Sequence, residues 1–161
     1  MKFGGGCVDQ VVAHPRLDGV RVIRHEKNLG YGQSLIDAFN YAICHGYDWV
    51  ITMDCDGQHE PQSIPDFLAA AVADDCDIVS GSRYLLTGEN EDSPPPDRRA
   101  VNTEMTRMLN EQLHLGVTDA FCGFKAYRVS RVEDLKITEP GYAMPLQLWV
   151  HAARRGLLRW A

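Results

Sequence analysis

Residues 49–59 have the sequence WVITMDCDGQH, in which a short apolar run is followed at once by polar residues. An apolar run of this length with polar flanks is typical of a strand that is buried on both faces of a sheet. Two aspartates, Asp54 and Asp56, come directly after it. Because ligands of open α/β sheets bind beyond the carboxyl ends of the strands, this stretch predicts the fold class and the place of a site.

Strand and helix patterns alternate on both sides of this stretch. Such alternation predicts parallel strands joined by right-handed crossovers, and therefore an α/β layered fold. The predicted elements are strands 20–24, 49–53, 77–80 and 124–127, and helices 33–46, 64–74, 101–113 and 146–155.

The length and composition are those of one globular domain. A chain of 161 residues has that size, and we expect residues 1–161 to form a single domain. The 45% of hydrophobic and 24% of charged residues argue against disorder. We expect residues 1–9 to be a short glycine-rich segment, and residues 87–97, which contain three successive prolines, to be a mobile loop.

The charge and the cysteines limit the function classes. The net charge is −6 and Lys and Arg form no dense cluster, which argues against nucleic acid as a partner. An anionic ligand would need local positive charge or a metal ion to overcome the repulsion from this net negative charge. The five cysteines include no C-x-x-C pair, so we expect reduced thiols and a cytoplasmic protein.

The acidic residues after the central strand predict a metal site. Asp54, Asp56 and Gln58 stand at alternate positions, so their side chains can converge on one point. Two carboxylates that close repel each other unless a cation lies between them. A few hard oxygen ligands suit Mg²⁺ or Mn²⁺, whose other positions are filled by water and substrate phosphates. The alternative is that the acids only cap the following turn. His59, beside them, is either a ligand or acceptor contact or a partly exposed histidine.

Three other positions carry candidate chemistry. Arg83 follows strand 77–80 and either holds a phosphate or pairs with a nearby acid at the surface. The turn NLGYG at 28–32 either lets a ligand approach the backbone at a helix start or is only a tight turn. Asp119 is either a general base or a loop cap.

Taken in order, these segments resemble those of family 2 glycosyltransferases, in the branch of the dolichyl- and polyprenyl-phosphate mannosyl- and glucosyltransferases. The resemblance covers residues 20–156. It is carried by VIR at 22–24, NLGYG at 28–32, DCDGQHEP at 54–61, GSRY at 81–84 and TDAFCGFKAY at 118–127.

The resemblance implies the glycosyltransferase A fold, a Rossmann-like three-layer α/β unit with a mostly parallel sheet, here incomplete at the N-terminal side. It implies inverting transfer of a sugar from a nucleoside diphosphate sugar to an acceptor, with a polyprenyl phosphate at the inner membrane face as one candidate. By the same resemblance, the metal ligands are Asp54, Asp56 and Gln58, the donor-binding residues are Asn28, Gly30, Asp54, Arg83 and Lys125, and the catalytic residues are Asp119 and Arg83.

The sequence departs from the family in three places. The segments that bind the nucleobase and ribose are not readable near the N-terminus, so we expect exposed strand edges that favour a homo-oligomer. Lys125 stands where relatives often have Arg, and Gln147 where many have Glu. Lysine keeps the charge but loses the planar fork of a guanidinium.

Two alternatives stay open. A degenerate, non-catalytic member of the family would bind a partner protein. The strand followed by Asp54, Asp56 and Gly57 also fits haloacid dehalogenase-like phosphatases, in which Asp54 would form a phospho-aspartate. Gln58 after the glycine argues against the phosphatase, as does the lack of a later acidic pair at a strand end.

Overall fold

The computed structural model describes residues 11–13, 16, 18–57, 59–73, 76–84 and 96–156. Within these ranges, short strands alternate with longer helices. In chain order they are β1 (Val11–Ala13), β2 (Arg21–Ile23), α1 (Tyr31–Cys44), β3 (Trp49–Thr52), a 3₁₀ turn (Pro61–Ser63), α2 (Ile64–Val72), β4 (Ile78–Ser80), α3 (Pro96–Leu113), β5 (Lys125–Arg128), α4 (Val129–Val132) and α5 (Met144–Arg154).

Strand β5 lies between β3 and β4 and runs antiparallel to both. Thr52 of β3 and Ser80 of β4 both pair with Lys125. Because β3 and β4 share a direction, their carboxyl ends meet at one edge of the sheet, and β5 begins at that edge. Strands β1 and β2 form a separate antiparallel pair, with Val12 opposite Val22.

This pairing corrects the mostly parallel sheet that the sequence predicts. The α/β fold is confirmed, and β3 and β4 do run in the same direction, but every ladder among the described residues is antiparallel. The alternation of strands and helices indicates which strands share a direction. It cannot show that a strand from later in the chain enters between them.

Helices cover both faces of the sheet. One face packs against α1 and α5, whose Phe39 and Trp149 are almost fully buried. The other face packs against α2 through Phe67. This agrees with the three layers predicted, because side chains on a strand alternate between the two faces. The first face carries Val50, Ile78 and Tyr127, and the second Ile51, Val79 and Ala126.

The predicted loop at 87–97 ends earlier than expected. Helix α3 begins at Pro96, so residues 96–97 belong to a helix. Proline suits the first turn of a helix, since the N–H it lacks has no partner there. The rest of that loop and residues 1–9 lie outside the described residues.

One cysteine corrects the expectation of reduced thiols. Cys44, at the end of α1, is disulfide-bonded, and its partner lies outside the described residues. Cys55, Cys76 and Cys122 are free. Sequence spacing could not show this bond, because it depends on which cysteines the fold brings within about 6 Å.

Truncating the core where α5 meets the sheet should destabilise the protein. Leu148 is 1% exposed, so Leu148→Ala should lower the free energy of unfolding by about 2–5 kcal/mol through lost burial and the cavity left behind. The control is Val72→Ala on α2, because Val72 is 80% exposed and its change should stay within about 0.5 kcal/mol. Urea unfolding followed by circular dichroism measures both. Equal effects would contradict this core.

Candidate active site

A cavity of about 730 Å³ lies at the edge where β3 and β4 end and β5 begins. Its lining carries charges of both signs and several aromatic rings. The structure thus brings Asp54, Asp56 and Arg83 together, as the sequence led us to expect. The full lining is Tyr31 of α1, Asp54 and Asp56 after β3, Arg83 and Tyr84 after β4, Asp97, Arg98, Val101 and Asn102 of α3, then Phe121, Tyr142 and Pro145.

His59 fixes the start of the acidic turn. The backbone N–H of Asp54 donates to His59 Nδ1 over 3.0 Å, so the neutral ring carries its proton on Nε2. That Nε2 lies 3.9 Å from Cys122 Sγ, and the ring packs beside Phe124. This role is not visible in the sequence, because a histidine five residues after an aspartate reaches its backbone only if the turn between them closes.

Gly123 leaves room for the Asp54 carboxylate. A Cβ at position 123 would overlap that carboxylate, so a larger residue would displace it. The hydroxyl of Thr52 donates to Gly123 O over 2.7 Å and holds the two segments together. Among the hydrogen bonds of the described residues, none reaches the Asp54 carboxylate, which faces Gly123 and the cavity.

Arg83 is held at the cavity by a buried carboxylate. Its Nε donates to Asp119 Oδ2 over 2.8 Å and its Nη2 donates to Oδ1 over 3.1 Å. This two-point contact is the geometry in which a guanidinium binds a carboxylate best. Asn102 Nδ2 also donates to Asp119 Oδ1, over 2.8 Å. The orientation of the Arg83 side chain is therefore fixed by Asp119, which is buried next to the cavity and does not line it.

Both members of this ion pair stay charged near neutral pH. Burial acts to raise the pKa of Asp119, but hydrogen bonds from Arg83 and Asn102 outweigh it and hold that pKa below its ordinary value. The hydrogen bond to Asp119 likewise raises the pKa of Arg83. Asp119 is 1% exposed and is not among the cavity's described lining residues. Its predicted role as a general base stays a prediction, and what the structure shows is its hold on Arg83.

Further guanidinium groups gather where β4 ends and α3 begins. Arg83 and Arg99 both lie over the ring of Tyr84, 5.7 and 5.4 Å from its centroid. The hydroxyl of Tyr84 accepts a hydrogen bond from Asn102 Nδ2 over 3.1 Å. Arg98 lines the cavity itself. The cavity therefore combines carboxylates at the end of β3 with cations at the end of β4 and on α3.

Lys125 lies behind the cavity. It is 3% exposed, and its Nζ donates to Cys122 O and lies 5.8 Å from the ring centroid of Trp149. Burial lowers the pKa of Lys125 to about 8. Its predicted contact with a donor stays a prediction, because its ammonium is turned toward the protein interior in this structure.

The glycine-rich turn before α1 packs against the protein's own backbone. Gln33 N donates to Pro140 O over 3.1 Å, and a Cβ at Gly30 would overlap that same carbonyl. Gly30 N donates to Asn28 Oδ1 over 2.9 Å. The close approach that the glycine permits is thus made by Pro140, and donor contact at Asn28 and Gly30 stays a prediction.

The acidic residues are compatible with a hard divalent cation. Asp54 and Asp56 line the same cavity and offer only oxygen atoms, and Mg²⁺ is commonly held by one or two carboxylates, with water and phosphates completing the set. Across the described ranges, no three His, Cys, Asp or Glu side chains are grouped as a metal site. Gln58, the third predicted ligand, lies outside those ranges.

Comparisons with known proteins agree with the family resemblance seen in the sequence. A family model described as glycosyl transferase family 2 matches residues 7–136. Undecaprenyl-phosphate mannosyltransferase of Micrococcus luteus is 31% identical over 140 residues, covering 85% of this chain and 56% of that protein. Polyprenol monophosphomannose synthase of Mycolicibacterium smegmatis is 27% identical over 157 residues, covering 95% and 58%. Dolichyl-phosphate hexose transferase of Haloferax volcanii is 30% identical over 151 residues, covering 94% and 62%. The matched part of the chain thus spans about three-fifths of the length of these curated relatives.

The Arg83–Asp119 pair should make folding stability sensitive to acid. Because the pKa of Asp119 is lower in the folded protein, its contribution is present above the ordinary pKa of about 4 and is lost as the pH falls toward the folded value. Asp119→Asn should lower the free energy of unfolding at pH 7 by about 1.5–3 kcal/mol and flatten the acid side of the curve. Urea unfolding between about pH 2 and 7 measures this.

The control for this series is Asp18→Asn, since Asp18 is exposed. It should keep the wild-type dependence on pH. If Asp119→Asn lowered the curve without changing its shape, the charge on Asp119 would not be the source of the acid sensitivity.

Proposed function

Since this chain belongs to glycosyl transferase family 2, we propose that it transfers a hexose from a nucleoside diphosphate sugar to a polyprenyl phosphate, with inversion at the anomeric carbon. The observation that carries the proposal is the cavity in which Asp54, Asp56 and Arg83 meet, with Arg98 on the same lining. Carboxylates for a cation and guanidinium groups for phosphates are what a reaction between two phosphate-bearing substrates needs.

The donor's diphosphate binds between the two kinds of charge. Asp54 and Asp56 would hold Mg²⁺ or Mn²⁺, which would supply Lewis-acid stabilisation of the negative charge on a departing diphosphate. Arg83 adds a guanidinium that is already oriented by Asp119. A donor group that needs no reorganisation during the reaction contributes most to stabilising the transition state.

A phosphate acceptor agrees with the state of Asp119. An oxygen of an ionised phosphate attacks the anomeric carbon, the bond from that carbon to the diphosphate oxygen breaks, and its electron pair leaves with the diphosphate. No proton has to be removed from such an acceptor, whereas a hydroxyl would require a general base. Asp119 is buried and bound to Arg83, an arrangement suited to orienting the arginine.

The lining also offers a place for an isoprenoid chain. Val101, Phe121 and Pro145 add apolar surface beside Arg98, and Val101 is 62% exposed. The relatives' names include undecaprenyl-phosphate mannosyltransferase and dolichyl-phosphate hexose transferase, which supports a lipid phosphate as acceptor. None of the helices in the described ranges is long and apolar enough to cross a bilayer. From the lipid phosphates in the relatives' names, we infer that the chain meets its acceptor at a membrane surface.

Donor binding is tested by thermal unfolding with UDP or GDP, each with and without Mn²⁺. The nucleotide that binds should raise the melting temperature, because a ligand that binds only the folded state stabilises it. Asp56→Asn should abolish the Mn²⁺-dependent part of the rise. Asp66→Asn, an exposed acid in the first turn of α2, is the matched control and should behave as wild type.

Each failure has a separate meaning. If neither nucleotide changes the melting temperature of the wild type, the transferase proposal fails and the non-catalytic alternative is favoured. If the Mn²⁺-dependent rise survives in Asp56→Asn, the metal assignment is wrong.

Acceptor binding is tested on α3. Arg98→Gln should raise KM for a short-chain polyprenyl phosphate by about 10-fold to 100-fold, the loss expected for a charge-assisted hydrogen bond. KM for the donor should stay close to wild type. Arg107→Gln is the control, because Arg107 lies on the same helix but pairs with Glu104 and Glu111 at the surface. Equal effects of the two variants would exclude Arg98 as an acceptor contact.

A further inference from the structure

The segment 138–142 is fitted onto the first turn of α1. A Cβ at Gly32 would overlap the carbonyl oxygen of Glu139, as one at Gly30 would overlap that of Pro140. Gly32 is itself buried. The two glycines of NLGYG therefore allow two successive carbonyl groups to approach the helix, which fixes the position of the segment.

Gln147 holds the same segment from the other side. Its Oε1 accepts hydrogen bonds from Thr138 N and Glu139 N, both over 2.9 Å, and its Nε2 donates to Thr138 Oγ1 over 3.0 Å. Within the segment, Gly141 N donates to Glu139 Oε1 over 2.9 Å. One side chain on α5 thus makes three hydrogen bonds to the residues that precede Tyr142.

The result of this fit is an aromatic wall made of Tyr31 and Tyr142. The two rings are stacked, with centroids 5.8 Å apart and planes inclined by 10°, and both line the cavity that holds Asp54. Tyr142 is 83% exposed, so most of its surface is open although its ring stacks with that of Tyr31. Burial, and then the nearby charge of Asp54, raise the pKa of Tyr31 to about 12, so its hydroxyl keeps its proton.

We propose that Tyr142 contacts the hexose ring of the donor, and that Gln147 is the residue that positions it. The proposal rests on the proposed function, which places the diphosphate at Asp54 and Asp56. Because the two rings share a cavity with Asp54, they lie within reach of the two sugars joined to the diphosphate, the hexose and the ribose, whereas the nucleobase is separated from the diphosphate by the ribose. Of these two sugars, the hexose has the broader C–H face. The C–H face of a hexose suits the negative face of an aromatic ring.

The test compares a nucleotide with its sugar. Calorimetric titrations in Mn²⁺ use GDP and GDP-mannose, or UDP and UDP-glucose, whichever pair binds the wild type. Tyr142→Ala should weaken binding of the nucleotide sugar about 10-fold and change binding of the nucleotide less than twofold. Tyr142→Phe keeps the ring and should leave both affinities near wild type.

Equal weakening of both ligands by Tyr142→Ala would place the ring against the nucleoside and overturn the proposal. No change in either would remove Tyr142 from the site. If the wild type bound none of the four ligands, the proposed function itself would fail. If the wild type bound a pair of ligands and Tyr142→Ala bound both equally well, only the proposal for Tyr142 would fail.

The positioning role of Gln147 has its own variants. Gln147→Met is similar in size but removes all three hydrogen bonds, and it should reproduce the selective loss of Tyr142→Ala. Gln147→Glu keeps an acceptor for the two N–H groups and for the hydroxyl of Thr138, and it should stay within about twofold of wild type. A purely structural role would weaken both ligands equally in Gln147→Met, or lower the melting temperature without changing the ratio of the two affinities.

Discussion

The antiparallel entry of β5 between β3 and β4 is the constraint on which the candidate site depends. Since β5 starts where the other two strands end, the residues before it are placed between the groups that follow β3 and β4. Gly123 then lies against the Asp54 carboxylate, and Asp119 lies behind Arg83. In a parallel arrangement the same edge would receive only strand ends, and the segment 119–123 would have no reason to lie there.

Buried charges set the electrostatics of this edge. Asp119 is almost fully buried, and an unpaired carboxylate at such a depth would cost several kcal/mol. The contacts from Arg83 and Asn102 offset that cost and keep the carboxylate ionised. The partner that stabilises Asp119 is itself fixed by it, so a rigid cation is presented to the cavity. Lys125 is buried to a similar degree, but burial lowers its pKa toward neutrality.

The charged residues that line the cavity could be predicted from local sequence, but the residues that hold them in place could not. Asp54 and Asp56 after a buried strand, and Arg83 after another, were expected at one edge because strands of one direction end together. His59, Gly123 and Gln147 act through contacts that only the folded chain makes. For Gln147 the sequence offered one signal, an amide where many relatives carry an acid, but no partner for it. The glycines of NLGYG indicate a close approach to the backbone, and only the fold shows that residues 139–140 make one.

The sequence by itself determined the helices α1, α2, α3 and α5, the approximate positions of β2 to β5 and the pair of acids, because these depend on periodicities of a few residues. It did not indicate β1 or α4, which are only three and four residues long. It also carried enough ordered segments to indicate the family that the comparisons then showed. Only the tertiary structure decided that β5 separates β3 from β4, that Cys44 is disulfide-bonded, and that Asp119 orients the side chain of Arg83. Strand order and side-chain pairing depend on contacts between residues far apart in the chain, and the free energy of those contacts is not encoded in any local pattern.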